Sequence, residues 1–185
     1  RGKIFNKMKK KIEEIIEVPE GFVAEVDGNL IIISKDGKTI EKKLPFHARK
    51  ENNRIIIGDL VVTKKNKKLI KTASAHVRNM IAGLNKKFIY KLQVCSVHFP
   101  MNVSVKGNEF IIKNFLGEVK ERKAKILSGV EVKIEKDIVI VEGIEKDNVG
   151  QTAANIENAV IIRAKDRRIF QDGIFIIEKE KGVKK

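Results

Sequence analysis

Four cations within six residues, Arg163, Lys165, Arg167 and Arg168, are the side chains in this sequence best fitted to chemistry, and that chemistry is the holding of phosphate. Guanidinium groups present forked donors that match phosphate oxygens, and lysine adds mobile point charge. The run falls between an apolar-periodic segment and a final strand-like segment, where a basic loop can meet a polyanion. Cations also collect at the exposed end of a helix, opposite its negative pole, so the run alone does not decide between the two roles. Two further basic features accompany it. KKNKKLIKT at 64–72 carries five lysines, and the head KIFNKMKKK and tail EKEKGVKK are lysine-rich.

Groups for catalysis are missing by spacing. No two glycines are separated by a single residue and there is no GxxxxGK[ST], which removes dinucleotide and P-loop chemistry. The histidines His47, His76 and His98 do not form HExxH. Cys95 and His98 stand three apart and supply two ligands where a structural metal site takes about four. No GxSxG sets a nucleophile on a strained turn, and the carboxylates alternate with lysines, as in EVKIEKD, rather than pairing on an apolar background. The expectation is no catalytic residue, no metal and no cofactor.

Composition points the same way. The 185 residues carry 39 Lys+Arg against 24 Asp+Glu, a formal +15, so the long-range field attracts polyanions and a nucleic acid is the leading partner. Aromatics make up 5%, with no Trp and one Tyr, which favours reading of phosphates on folded RNA or duplex over base stacking. No apolar run approaches the roughly 18 residues of a membrane span, and no signal peptide is visible, so a soluble, unsecreted protein is expected. The single Cys95 and the absence of CxxC fit a reducing compartment. In the head, Ile4, Phe5, Met8, Ile12 and Ile15 recur at helical spacing, which admits a basic amphipathic helix on a membrane surface; Glu13, Glu14 and Glu17 argue against a transit peptide.

The elements that must position these groups come in two copies. VDGNLIII at 26–33 is repeated 79 residues later as VKGNEFII at 105–112, and at the same offset Ala75, Val77, Asn79 and Ile81 fall on Ala154, Ile156, Asn158 and Val160. Each copy opens after a proline, Pro19 or Pro100, with an alternating segment and a Gly-Asn hairpin turn. A second strand and a glycine turn, at Gly37 or Gly117, follow, and Lys136-Asp137 reads as another turn. About four antiparallel strands precede one helix per copy. In the first helix, Leu69, Ala73, Val77, Met80, Ile81 and Leu84 form the buried stripe; in the second, Val149, Ala153, Ile156, Ala159 and Val160 do so, with Asp147 or Asn148 as cap. FIYKLQVCSVHF is expected to close the first copy and FQDGIFIIEK the second. The fold class is therefore α+β, a tandem duplication of an antiparallel sheet with one helix on a face, divided into domains 1–96 and 97–185. Divided there, the first part has 22 basic and 10 acidic residues and the second 17 and 14. Charge alone favours the first as the RNA binder.

Two stretches resemble a known family. KDRRIFQDGIFIIEK, with Ile162, Lys165, Arg168, Phe170, Asp172, Gly173, Ile174, Phe175, Ile176 and Lys179, resembles the archaeal and eukaryotic C-terminal signature of the large-subunit ribosomal protein family called L six in bacteria and archaea and L nine in eukaryotes. SAHVRNMIAG, FIYKLQVCSVHFPMNV and KNFLGE resemble its eukaryotic branch in particular, and FQDG stands where the bacterial branch has a Lys-Gly-Lys-Gly loop. Asn158 departs from the glutamine that the signature has upstream.

The resemblance implies a non-catalytic rRNA binder of two related α+β domains, with the second as the main contact. It implies placement near the sarcin-ricin loop and the stalk base, with neighbouring ribosomal proteins there and translation factors close by. It further implies a cytoplasmic ribosome, with nucleolar assembly for a eukaryotic member and no membrane. The contacts it implies are Arg163, Lys165, Arg167, Arg168, Gln171 and Asp172, then Lys106, Asn114 and Lys179. Its rivals are an RNA-processing enzyme or assembly factor using the same basic surface, and attachment to a membrane surface by the head.

Overall fold

Alternation of apolar and charged residues does produce strands. In a computed structural model, which describes residues 12–59, 63–163, 165–166 and 168–179, the first copy comprises β1 (Ile12–Glu17), β2 (Val23–Asp27), β3 (Leu30–Lys35), β4 (Lys38–Lys43), β5 (Ala48–Glu51), β6 (Arg54–Asp59) and α1 (Lys64–Asn85). The second comprises β7 (Phe88–Cys95), β8 (Asn102–Lys106), β9 (Glu109–Lys113), a 3₁₀ turn (Phe115–Gly117), β10 (Arg122–Lys125), β11 (Val130–Glu135), β12 (Ile138–Gly143), α2 (Lys146–Ala159) and β13 (Gly173–Lys179). All the pairings are antiparallel, in sheets ordered β2-β3-β4 and β1-β6-β5 in the first unit and β10-β9-β8 and β11-β12-β7-β13 in the second. The α+β duplication holds.

Equivalence of the copies extends to single hydrogen bonds. Gly28 and Gly107 both have φ of +57° at the first position of their two-residue turns, a conformation that costs a side-chain-bearing residue energy. In each turn the asparagine carbonyl accepts an amide from the residue just past the third strand of its sheet: Leu44 N–H, after β4, donates to Asn29 O, and Ile126 N–H, after β10, to Asn108 O, both at 2.8 Å. Inward positions match as well. Ile31, Ile33, Ile55 and Ile57 are fully buried in the first unit; Phe110, Ile112, Val139 and Val141 are their counterparts in the second. The helices present Ile70, Ala73, Ser74 and Val77 in one copy and Val149, Thr152, Ala153 and Ile156 in the other, all buried, at the offset read from the sequence.

The boundary differs from expectation. The chain divides between Leu84 and Asn85 rather than at 96/97, and FIYKLQVCSVHF does not close the first copy. As β7 it pairs with β12 and β13, with Gln93 opposite Ile138, just as β1 pairs with β6, with Glu17 opposite Arg54. It is the opening strand of the second copy. An extended run between two repeats looks alike whether it closes one or begins the next; the partner strands decide. With Lys86, Lys87 and Lys91 moved across, the counts become 19 basic against 10 acidic and 20 against 14, so the difference in net charge falls from nine to three and the first unit keeps the larger excess.

Other details are corrected by local chemistry. Among the described residues six strands, not about four, precede α1, and Ile12 and Ile15 belong to β1 rather than to an amphipathic helix. Residues 1–11, the rest of that head, lie outside the described residues, as does the tail after Lys179. α1 starts at Lys64, because Thr63 Oγ1 accepts the Asn66 N–H (3.0 Å) and caps it. Its stripe centres on Ile70, with Leu69 and Ile81 only half-buried at the margins. Neither Asp147 nor Asn148 takes the N-cap position of α2: Glu145 does, without a side-chain capping bond, and its carboxylate accepts from the Asn148 side chain at 2.8 Å. Gly37 sits in a two-residue turn with Asp36, whereas Gly117 ends the 3₁₀ turn, where Asn114 and Leu116 also take positive φ. Among the described residues no helix is long and apolar enough to cross a membrane.

Candidate nucleic-acid interface

α2 ends at Ala159, and Val160 to Asp172 run from it to the first residue of β13. This basic loop is fastened at both ends. At its start Arg122 Nη1 donates to the carbonyls of Ala159 (2.9 Å) and Ile161 (3.4 Å), which are left without helical partners at the C-terminus. The same guanidinium forks onto Glu118 at 2.8 and 2.6 Å and lies 4.3 Å from the Phe115 ring centroid. The Arg122 hydrogen bond holds the Glu118 carboxyl below its ordinary range, against a smaller upward pull from burial.

At its end the fastening is Asp172, only 1% exposed. Its Oδ1 accepts the backbone amides of Val97 (2.7 Å) and His98 (3.0 Å), and its Oδ2 accepts His98 Nδ1 at 2.6 Å. A carboxylate only accepts, so the His98 ring carries its proton on Nδ1. Burial pushes the Asp172 carboxyl up, but the amides and imidazole together outweigh it and hold it below its usual range. The His98 ring packs on Phe170 with centroids 4.9 Å apart, and the Lys165 ammonium lies 4.7 Å from the Phe170 centroid. One chain of contacts thus leads from a buried charge to an exposed cation. Beside it, Cys95, Val97, Val160, Ile161, Phe170 and Ile174 help to line a largely apolar cleft of about 600 Å³.

The expected contacts separate into groups. Arg163, Lys165, Arg168 and Gln171 are exposed on this loop. Arg168 is 89% exposed, but its guanidinium clasps Asp166 at 2.8 to 3.2 Å, which lowers the Asp166 carboxyl's pKa and raises its own. Gln171 Nε2 donates to Arg168 O at 3.3 Å. Arg167 lies outside the described residues. Asp172 faces inward with its oxygens on Val97 and His98, and so positions the loop. Gly173 beside it is the first residue of β13.

The secondary candidates do not all gather here. Asn114 Nδ2 donates to Pro100 O at 3.0 Å and so braces the segment that Asp172 grips at Val97 and His98. Lys106 is exposed at the β8–β9 turn. Lys179 ends β13, about 20 Å along the strand from Gly173 at roughly 3.3 Å per residue. The pairing of His98 with Asp172 is not visible in the sequence, because the two lie 74 positions apart and no local pattern links them. His98 Nδ1 is taken by Asp172, and among the described residues no group of three His, Cys, Asp or Glu side chains is placed to hold a metal ion.

The chain is similar to known ribosomal proteins. Residues 99–173 match the family model described as ribosomal protein L6, a span that runs from just after His98 to the first residue of β13. The large ribosomal subunit protein uL6 of Methanococcus vannielii is 42% identical over 171 residues, covering 91% of this chain and 94% of the relative. That of Aeropyrum pernix is 42% identical over 174 residues, covering 91% and 95%.

Proposed function

Because the chain belongs to the ribosomal protein uL6 family, we propose that it is a structural, non-catalytic component of the large ribosomal subunit that holds rRNA through the loop between α2 and β13. The observation that carries this reading is the fastening of that loop by Arg122 and Asp172 while Arg163, Lys165 and Arg168 remain exposed. A loop held at both ends gives up less conformational entropy on meeting phosphates, so its cations can engage the shape of an RNA backbone without base stacking.

The finer reading follows the family: contact near the sarcin-ricin loop and stalk base, with translation factors docking close by, in a cytoplasmic ribosome. A eukaryotic-type member, with nucleolar assembly, rests on the SAHVRNMIAG, FIYKLQVCSVHFPMNV and KNFLGE segments, while both relatives named above are archaeal. Arg167 belongs to the proposed contact set by sequence.

Sedimentation of tagged protein from a lysate at low salt and at about 0.5 M salt tests the role, since screening strips weak electrostatic binders. Stoichiometric protein in large-subunit and polysome fractions at both salts is expected. Loss at high salt, or presence only with precursor particles, replaces the reading with a transient assembly factor.

A further inference from the structure

The most concentrated basic surface in the described first unit has no part in that loop. Lys64, Lys65, Lys67, Lys68 and Lys71 occupy the first two turns of α1, all are exposed, and none makes an ion pair with a described carboxylate. Many second-unit cations are paired instead: Lys87, Lys91, Lys113, Lys123 and Lys133 each meet a glutamate. In α1 the later cation Arg78 is taken by Glu14, so the unpaired patch ends before it.

The arrangement is costly for a helix on its own. Lys64 and Lys68, and Lys67 and Lys71, are like charges one turn apart, and all five lie at the helix end whose dipole repels cations, with no acidic residue in the first turn. A polyanion laid along this face would offset both terms. We propose that it is a second RNA-binding surface, one that neutralises backbone phosphates of duplex RNA without reading sequence.

Three observations favour RNA over other polyanions. Lys64 to Lys71 spans about 10 Å at 1.5 Å per residue, room for several phosphates along a groove edge. No large apolar side chain of α1 is exposed, so the helix offers a bilayer no face to insert. Lysine is depleted in the cores of protein–protein interfaces, which makes an acidic protein a poorer occupant.

The test uses the full chain and a variant carrying Lys64→Gln, Lys65→Gln, Lys67→Gln, Lys68→Gln and Lys71→Gln, titrated across salt with an RNA hairpin whose long duplex stem is unrelated to rRNA. Removal of five contacts should lower the slope of log K against log salt by about four. The variant should melt no lower than its parent, because repulsion is removed, so misfolding does not imitate the result. A triple variant in the second-unit loop, Arg163→Ala, Lys165→Ala and Arg168→Ala, reports the other surface separately. An unchanged slope in the quintuple variant overturns the proposal, as does a loss confined to phosphatidylserine vesicles or to polyglutamate while duplex binding stays intact.

Discussion

His98 Nδ1 and Asp172 Oδ2 lie 2.6 Å apart across 74 residues of sequence, and this contact joins the segment after β7 to the end of the basic loop. Together with the Val97 and His98 amides it surrounds a carboxylate that is almost wholly buried. Asp172→Asn keeps the shape but replaces one acceptor oxygen by a donor facing N–H groups, and should cost about 2 kcal/mol in denaturant unfolding. The depressed folded-state pKa of Asp172 gives stability that is present above its unfolded value, about 4, and lost as pH falls through the lower folded value. The variant should therefore have a shallower acid limb than its parent in a melting series; equal limbs would show that other carboxylates dominate.

The position of β7 makes a clear prediction about fragments. It is flanked by β12 and β13, so a piece beginning at Asn85 retains the whole four-stranded sheet. A piece beginning at Val97 loses an inner strand and the buried Phe88 and Leu92. Circular dichroism with thermal melting should show a cooperative transition for 85–185 and none for 97–185.

Asp166 restrains Arg168 by the clasp described above. Asp166→Ala removes one negative charge and frees the guanidinium for phosphate. Affinity for RNA should rise, and the salt slope should steepen by about one. A weaker binder would mean that Asp166 is needed to orient Arg168, not to restrain it.

The repeated turns offer a test free of packing effects. Gly107 has φ of +57° and nothing within 4 Å of where a Cβ would stand. Gly107→Ala should lower stability by about 1 kcal/mol through backbone strain alone, measured by urea unfolding of the full chain.

The sequence by itself determined the duplication, the hairpins and the two helices, because these depend on local rules. Period-2 alternation buries Ile31 and Ile33, a Gly-Asn pair permits the turn, and the 3.6-residue period aligns Ile70, Ala73 and Val77 with Val149, Thr152 and Ile156. Thr63 as a cap was also within reach of those rules, and the run of lysines beyond it masked the signal.

What only the tertiary structure decided are relations between distant segments. FIYKLQV is equally extended whichever sheet receives it, and pairing with β12 and β13 assigns it to the second unit. The Asp172 charge reads in the sequence as one polar contact among several. Burial against two amides and a histidine from the far end of the unit makes it the anchor of the loop, because a buried carboxylate is tolerated only where donors converge on it, and that convergence exists only once the chain has folded.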